Sequence, residues 1–151
     1  MKSTLIQSDD KGPAGRTYVL VGEAGEEAFG ALSEFARSEG LTAAQLTGVG
    51  AFARATVGWF DRAAKDYRRI EIDQQCELLS LIGDIAQADD GPQLHAHVVL
   101  GLPDGTTRGG HLLSAEIWPT LEVIVRESPA RLRKTSRPEI GLALIDLDRS
   151  T

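Results

Sequence analysis

The sequence predicts an α+β fold in which one helix lies against a mostly antiparallel sheet. Only the segment between Gly25 and Gly40 has apolar residues at helical spacing. Elsewhere, short runs rich in β-branched and aromatic residues follow one another without the repeated helices that a parallel sheet needs for its crossovers. At 151 residues, the chain has the length of one domain.

The first fifteen residues are predicted to form a flexible N-terminal arm, because they are polar and include Gly12-Pro13 and Gly15. A first strand is expected over 16–21, and a single domain over 16–147.

The helix is predicted from one apolar stripe, and the acidic residues Glu26 and Glu27 before it favour its start. The stripe consists of Ala28, Phe29, Leu32, Phe35 and Ala36. The later β-like runs are 44–49, 52–60, 67–72, 76–84, 93–101, 108–117 and 121–126, with weaker candidates at 132–135 and 142–146.

Composition limits the classes of function. The formal net charge of −6 opposes general attraction to nucleic acid or anionic lipid. No apolar run is long enough to span a membrane, and the N-terminus lacks the apolar core of a secretory signal. The single Cys76 cannot form an internal disulfide, so we expect a soluble protein of the reducing cytoplasm.

All three histidines lie in one predicted hairpin. His95 and His97 are two residues apart and therefore point to the same face of a strand. Between that strand and His111, the sequence Leu102-Pro103-Asp104-Gly105 predicts a three-residue loop with a bulge, because Pro103 suits the second position of a type I turn and Gly105 can be left-handed.

This loop pairs Leu102 with Thr106 and sets His97 opposite His111, so that all three imidazoles share one face. A two-residue loop at Asp104-Gly105 would instead turn His111 away. Three imidazoles at this spacing favour a divalent metal site, with zinc favoured over iron or copper, although nickel, cobalt and copper also accept imidazole. The alternatives are polar residues on a solvated face, or core histidines bonded to backbone carbonyls.

Other motifs carry weaker hypotheses. Residues 48–53 match G-x-G-x-x-A, but a strand pattern follows where a nucleotide site needs a helix, so close backbone approach is the better interpretation. Gly109-Gly110 favours a bulge, or lets a ligand or backbone approach His111. Glu122 is the one candidate catalytic carboxylate, a general base if its face is internal. The basic run Arg131-Leu132-Arg133-Lys134, with Arg137 beyond it, favours a charged edge strand over phosphate contact.

An ordered series of motifs resembles the PPC domain, the plant and prokaryote conserved domain, over residues 16–147. The motifs are Thr47-Gly48-Val49-Gly50-Ala51-Phe52, Val57-Gly58-Trp59-Phe60-Asp61, the run 77–83, Leu94-His95-Ala96-His97, Gly109-Gly110-His111-Leu112-Leu113 and Thr120-Leu121-Glu122-Val123. The resemblance implies a curved sheet and a homotrimer, and the histidines match prokaryotic members associated with a metal. Plant members carry the domain beside AT-hooks, whose Arg-Gly-Arg-Pro core is absent here.

Three classes of function follow. We favour a small oligomer that binds a metal, and a small-molecule ligand through it, in a sensing or regulatory role. A metal-dependent hydrolase using water on a three-histidine site is second. A DNA-binding protein is third, disfavoured by the charge and the missing hook.

Overall fold

The computed structural model describes residues 1–7 and 15–151, and most of these residues lie in β-strands. In chain order they are β1 (Lys2–Gln7), β2 (Thr17–Glu23), α1 (Ala28–Ser38), β3 (Ala43–Asp61), β4 (Asp66–Ile72), β5 (Cys76–Ala88), β6 (Gly91–Gly101), β7 (Thr107–Glu127), β8 (Lys134–Arg137), β9 (Leu142–Ile145) and a 3₁₀ turn (Leu147–Arg149). The predicted α+β class, with one α-helix in the described part of the chain, is confirmed.

Seven strands form one sheet in the order β1-β2-β7-β6-β5-β3-β4, and every pairing between them is antiparallel. Because β7 also pairs with β3, the strands β3, β5, β6 and β7 close on themselves into a small barrel. The strands β8 and β9 form a separate two-stranded ribbon, the C-terminal hairpin.

Side chains alternate between a buried inner face and an outer face along the barrel strands, as an amphipathic sheet requires. On β6, Leu94, Ala96 and Val98 are buried, whereas His97 between them is exposed. The helix buries Ala28, Leu32 and Ala36 against this core, and its N-cap Glu27 accepts hydrogen bonds from two backbone amides of the first turn. The structure therefore places the histidines outside the core.

The long strands β3 and β7 each join two of the predicted runs. β3 continues through Gly50, whose φ of +153° accompanies a register shift against both β5 and β7. A side chain at Gly50 would clash with the carbonyl of Thr120, so the motif serves the close backbone approach that the sequence favoured. β7 likewise continues through Trp118 and Pro119.

The prediction of a flexible arm over residues 1–15 fails for residues 2–7. They form β1 on the edge of the sheet, paired with β2, and all six are exposed. An edge strand with two solvated faces needs no alternating pattern, so its polar sequence gave no strand signal. The expected domain start at residue 16 omits this strand, and the rest of the predicted arm, residues 8–14, lies outside the described residues.

The helix found in the described residues is too short and too polar to cross a membrane.

A charged cluster ties the start of β2 to the end of α1 and the end of β7. Arg16 donates two hydrogen bonds to the carboxylate of Glu127, at 2.6 and 2.9 Å, and another to the carbonyl of Glu39. Tyr18 donates to the Glu39 carboxylate at 2.7 Å. The Glu127 side chain is only 8% exposed, so its charge depends on Arg16 for compensation.

We expect Arg16→Met to lower the free energy of unfolding by on the order of 3 kcal/mol, because it leaves the buried Glu127 carboxylate unpaired. Arg37→Met is the matched control, since Arg37 pairs with Glu34 at the exposed helix surface and should cost about 0.5 kcal/mol or less. Urea unfolding of both variants measures the difference. Equal losses would contradict the role given to the buried pair.

Candidate metal centre

The loop between β6 and β7 has the geometry that sets the register of the histidines. The amide of Gly105 donates to the carbonyl of Leu102 at 2.9 Å, and the amide of Leu102 donates to the carbonyl of Thr106 at 2.8 Å. Gly105 has a φ of +79°, in the left-handed region. The three-residue loop is therefore confirmed, and the two-residue alternative is excluded.

The register places His97 directly opposite His111, as predicted. His95 lies two residues before His97 on the same outer face. The ring centroids are 5.1 to 5.3 Å apart, and one ligand atom from each ring lies within 4.8 Å of the others. We call these three residues the histidine cluster.

His95 is oriented by a carboxylate that the sequence analysis did not single out. Asp84 pairs with His95 across β5 and β6, and its Oδ2 lies 3.0 Å from His95 Nδ1. The protonated Nδ1–H of His95 donates to this carboxylate, which leaves a lone pair on Nε2. His95 Nε2 lies 3.2 Å from His97 Nε2, so the free nitrogen faces the cluster.

Asp84 is itself held by Lys134, the first residue of the C-terminal hairpin. Lys134 Nζ lies 3.2 Å from Asp84 Oδ1, and its side chain is 4% exposed. Burial favours the neutral form of Asp84, but the hydrogen bond with His95 and the charge of Lys134 outweigh it and lower the pKa of the carboxyl below its usual value. The carboxylate therefore stays charged as a partner of His95.

The third imidazole, His111, is covered by an aromatic ring. Tyr67 stacks on it with a centroid distance of 4.6 Å and an angle of 17° between the planes. The Tyr67 ring packs against the backbone of Gly58, where a Cβ would lie 2.6 Å from Tyr67 Cδ1. Burial, with smaller contributions from His95, His97 and Lys134, lowers the pKa of His111 to about 4.

The pKa of His97 is also lowered, mainly by burial and to a smaller extent by the neighbouring His95. At neutral pH, His97 and His111 therefore keep lone pairs for coordination. His111 Nδ1 is buried and has no hydrogen-bond partner among residues 1–7 and 15–151. These features fit a divalent cation better than a hydrogen-bonded core or a solvated sheet face.

Glycines let the strands around the cluster approach closely. A Cβ at Gly110 would lie 2.6 Å from the carbonyl of Gly58, and one at Gly109 would lie 2.8 Å from the carbonyl of Val98. A Cβ at Gly83 would clash with the carbonyl of His95. The Gly109-Gly110 pair thus accommodates neighbouring backbone beside His111.

A cleft of about 600 Å³ opens beside His95 and His111. Helix α1 and the C-terminal hairpin supply its opposite walls, and Asp84, Tyr67 and Lys134 also line it. The cluster is therefore accessible to a small molecule from this side.

Glu122 lies away from the cluster. It is exposed on β7 opposite Val49 of β3, eleven positions along the strand from His111. It neither belongs to the histidine cluster nor lines the cleft beside it. The carboxylate that contacts the cluster is Asp84.

The basic segment is also divided by the fold. Lys134 is buried against Asp84, whereas Arg131, Arg133 and Arg137 are exposed, and the Arg137 guanidinium lies 3.6 Å from the Asp146 carboxylate. The expectation of a fully charged edge therefore fails at Lys134, because the β8 backbone turns this side chain inward against Asp84.

Residues 9–129 match the family model of the Plants and Prokaryotes Conserved (PCC) domain, the domain abbreviated PPC above. The chain belongs to this family. The match covers most of the PCC-domain protein, including the histidine cluster and Asp84, and ends before the C-terminal hairpin.

Solved structures agree with the family and its fold. A PPC protein from Pyrococcus horikoshii is 33% identical, with a TM-score of 0.82 over 87% of this chain and 92% of that one. A metal-containing protein from Archaeoglobus fulgidus is 33% identical, with a TM-score of 0.80 over 88% and 94% of the two chains. A proposed DNA-binding protein from Bacteroides thetaiotaomicron is 28% identical, with a TM-score of 0.84 over 88% and 93%. The comparison with curated proteins finds no match.

In the metal-free protein we expect Tyr67→Ala to raise the pKa of His111 from about 4 toward its ordinary value, because the imidazole becomes solvated. An NMR titration of the imidazole C–H resonances measures this change. Phe60→Ala is the control, since Phe60 contacts Tyr67 edge-on at 5.3 Å. An unchanged His111 pKa in Tyr67→Ala would show that the ring does not control its hydration.

The lowered pKa of His111 also determines how the stability of the fold changes with pH. The pKa of His111 in the folded protein, about 4, lies below that of an unfolded histidine, about 6.5. Between these two pH values, the unfolded chain therefore binds more protons than the folded chain. The contribution of His111 to stability is therefore present above pH 6.5 and is lost as the pH falls toward 4.

Proposed function

We propose that this PCC-domain protein is a small cytoplasmic homotrimer that binds one divalent metal ion per chain, preferably zinc, through His95, His97 and His111. The bound metal would hold a small ligand in a sensing or regulatory role. The observation that carries the proposal is the approach of three imidazole nitrogens to within 4.8 Å of one another on one sheet face.

Two further observations support the metal. Asp84 binds Nδ1 of His95, the carboxylate contact that commonly orients a metal-binding histidine. The metal-containing Archaeoglobus protein shares 33% of its sequence with this chain over most of both lengths. Cation–cation repulsion among three protonated rings is avoided because burial keeps His97 and His111 neutral.

Protein loaded with zinc and then dialysed should retain close to one zinc per chain, and His97→Ala should retain none, because two imidazoles do not make a stable site. Asp84→Asn should bind zinc about 10 to 100 times more weakly, since His95 loses its carboxylate. Asp73→Asn, an exposed carboxylate outside the cluster, is the matched control. Elemental analysis and competition with a chelator measure both effects.

Metal binding that persists unchanged in His97→Ala would contradict the three-histidine site. Lower pH should also release the metal, because protons compete for the imidazole lone pairs.

The outer face of the sheet supports an oligomer. Val21, Val49, Ile82, Val99 and Ile124 are exposed large apolar side chains, between 38% and 58% accessible. The register joins Val21 to Val49 through Glu122, and Ile124 to Ile82 through Thr47. Ile82 pairs with His97, and Val99 lies two residues beyond His97 on the same outer face of β6. An apolar face of this kind marks a protein interface, and the family resemblance makes the trimer its expected form.

Ile124→Lys should convert the trimer to a monomer, because a charge would be buried at the centre of the contact. Leu147→Lys is the control, since Leu147 is 77% exposed on the 3₁₀ turn and lies outside this face. Light scattering at micromolar concentration measures the mass. A monomeric parent protein would contradict the proposal.

A metal-dependent hydrolase is the second candidate. It is supported by the cleft that reaches His95 and His111, since a three-histidine zinc site with an accessible position can activate water. Asp84 is engaged by both His95 and Lys134 and is therefore poorly placed to act as a general base.

DNA binding ranks third for this chain. A net charge of −6 per chain grows on assembly. In the basic segment 131–137, Lys134 and Arg137 pair with acids, and Arg131 and Arg133 are the exposed cations without an acidic partner among the described residues. Affinity for duplex DNA depends on neutralising several phosphates.

We expect only weak, sequence-indifferent binding to an AT-rich duplex at about 150 mM salt. Fluorescence anisotropy measures it, with an Arg131→Ala/Arg133→Ala double variant and an Arg68→Ala/Arg69→Ala control. Sub-micromolar binding that only the first double variant loses would reverse this ranking.

A further inference from the structure

We propose that the cleft beside the histidine cluster binds a small monocarboxylate with an apolar chain, and that the C-terminal hairpin provides its specificity. Lys134 and the metal would bind the carboxylate, and the apolar side chains of the cleft would contact the chain. This inference rests on the proposed metal site and names the class of ligand that the site receives.

The cleft has two kinds of surface. At one end, Lys134 and His95 flank the same Asp84 carboxylate, at 3.2 and 3.0 Å. The rest of its lining mixes the polar residues Ser33, Arg37, Asp90 and Gln93 with apolar side chains of α1, β6 and β9, namely Phe29, Leu94, Leu142, Leu144 and Ile145. A volume of about 600 Å³ is in the range of small-molecule sites. Charged groups beside several apolar side chains fit an amphipathic molecule.

Charge favours an anionic head group once a metal is present. Among the described residues that line the cleft, the cations Arg37 and Lys134 are balanced by the acids Asp84 and Asp90. A divalent ion on the histidine cluster then leaves this environment with an excess of two positive charges. A carboxylate compensates part of that excess, whereas a neutral alcohol compensates none.

The hairpin is suited to provide specificity because it lies beyond the family match, which ends at residue 129. It is nevertheless fixed to the domain. The amide of Gln87 on β5 donates to the carbonyl of Leu132 at 2.8 Å, and Lys134 is buried against Asp84. Leu144 and Ile145 of β9 remain 40% exposed in the cleft, so an apolar ligand would cover them.

Isothermal titration of zinc-loaded protein with hexanoate tests the inference, with hexan-1-ol as the uncharged probe of the same length. We expect hexanoate to bind at least about tenfold more tightly than hexan-1-ol, because its carboxylate is charged whereas the hydroxyl of the alcohol is neutral. Metal-free protein should lose this preference. Zinc content is measured on every sample, so failure to hold metal is distinguished from failure to bind the carboxylate.

Two variants locate the site. Compared at saturating zinc, Lys134→Met should weaken hexanoate binding about tenfold, and Lys2→Met, at an 80% exposed side chain on β1, should not. Leu144→Ser should weaken hexanoate by removing part of the apolar wall, and Leu147→Ser, outside the cleft, is its matched control. Leu144→Ser also keeps the test valid if Lys134→Met does not fold.

Zinc-loaded protein that binds hexanoate and hexan-1-ol equally, or that binds neither, would overturn the carboxylate proposal and leave the metal site standing. Hexanoate binding that Leu144→Ser leaves unchanged would overturn the role of the hairpin. Protein that retains no zinc would overturn the metal site and this inference with it.

Discussion

The register of the β6–β7 hairpin is the constraint on which the site depends. The hydrogen bonds between Leu102 and Gly105 and between Leu102 and Thr106 close a three-residue loop. A loop shorter by one residue would move every side chain of the returning strand to the opposite face. His111 would then point into the core, and the cluster would have two members. The loop sequence therefore determines whether the domain can bind a metal, although none of its residues contacts an imidazole.

The surroundings of the cluster give each imidazole a different support. Asp84 and Lys134 hold His95 through charge, whereas Tyr67 covers His111 and burial keeps it neutral. His97 is the exposed member of the three. The sheet fixes the spacing of the rings, Asp84 orients His95, and burial lowers the pKa of His97 and His111. Asp84 of β5 contacts His95 directly, and Lys134 of the C-terminal hairpin acts on the same ring through Asp84.

Much of the fold is readable from the sequence because local patterns and register rules agree. The helix follows from its apolar stripe, and the histidine pairing follows from Pro103 and Gly105. Asp84 could have been found in the same way: Ala88 pairs with Gly91, and counting outward from this tight turn sets Asp84 opposite His95. β1 and Lys134 gave no such signal, because an exposed edge strand and a buried lysine are both defined by tertiary contacts. Barrel closure through the β3–β7 pairing is likewise a long-range property.

The central claim is that three imidazoles hold one metal ion, and X-ray absorption at the zinc edge tests it most directly. For zinc-loaded protein, the account predicts about three imidazole nitrogens at about 2.0 to 2.1 Å, with the outer-shell scattering of intact rings. After dialysis, His111→Ala should retain no zinc and give no signal at the zinc edge, because two imidazoles do not make a stable site. A first shell of oxygen or sulfur without imidazole scattering would contradict the account.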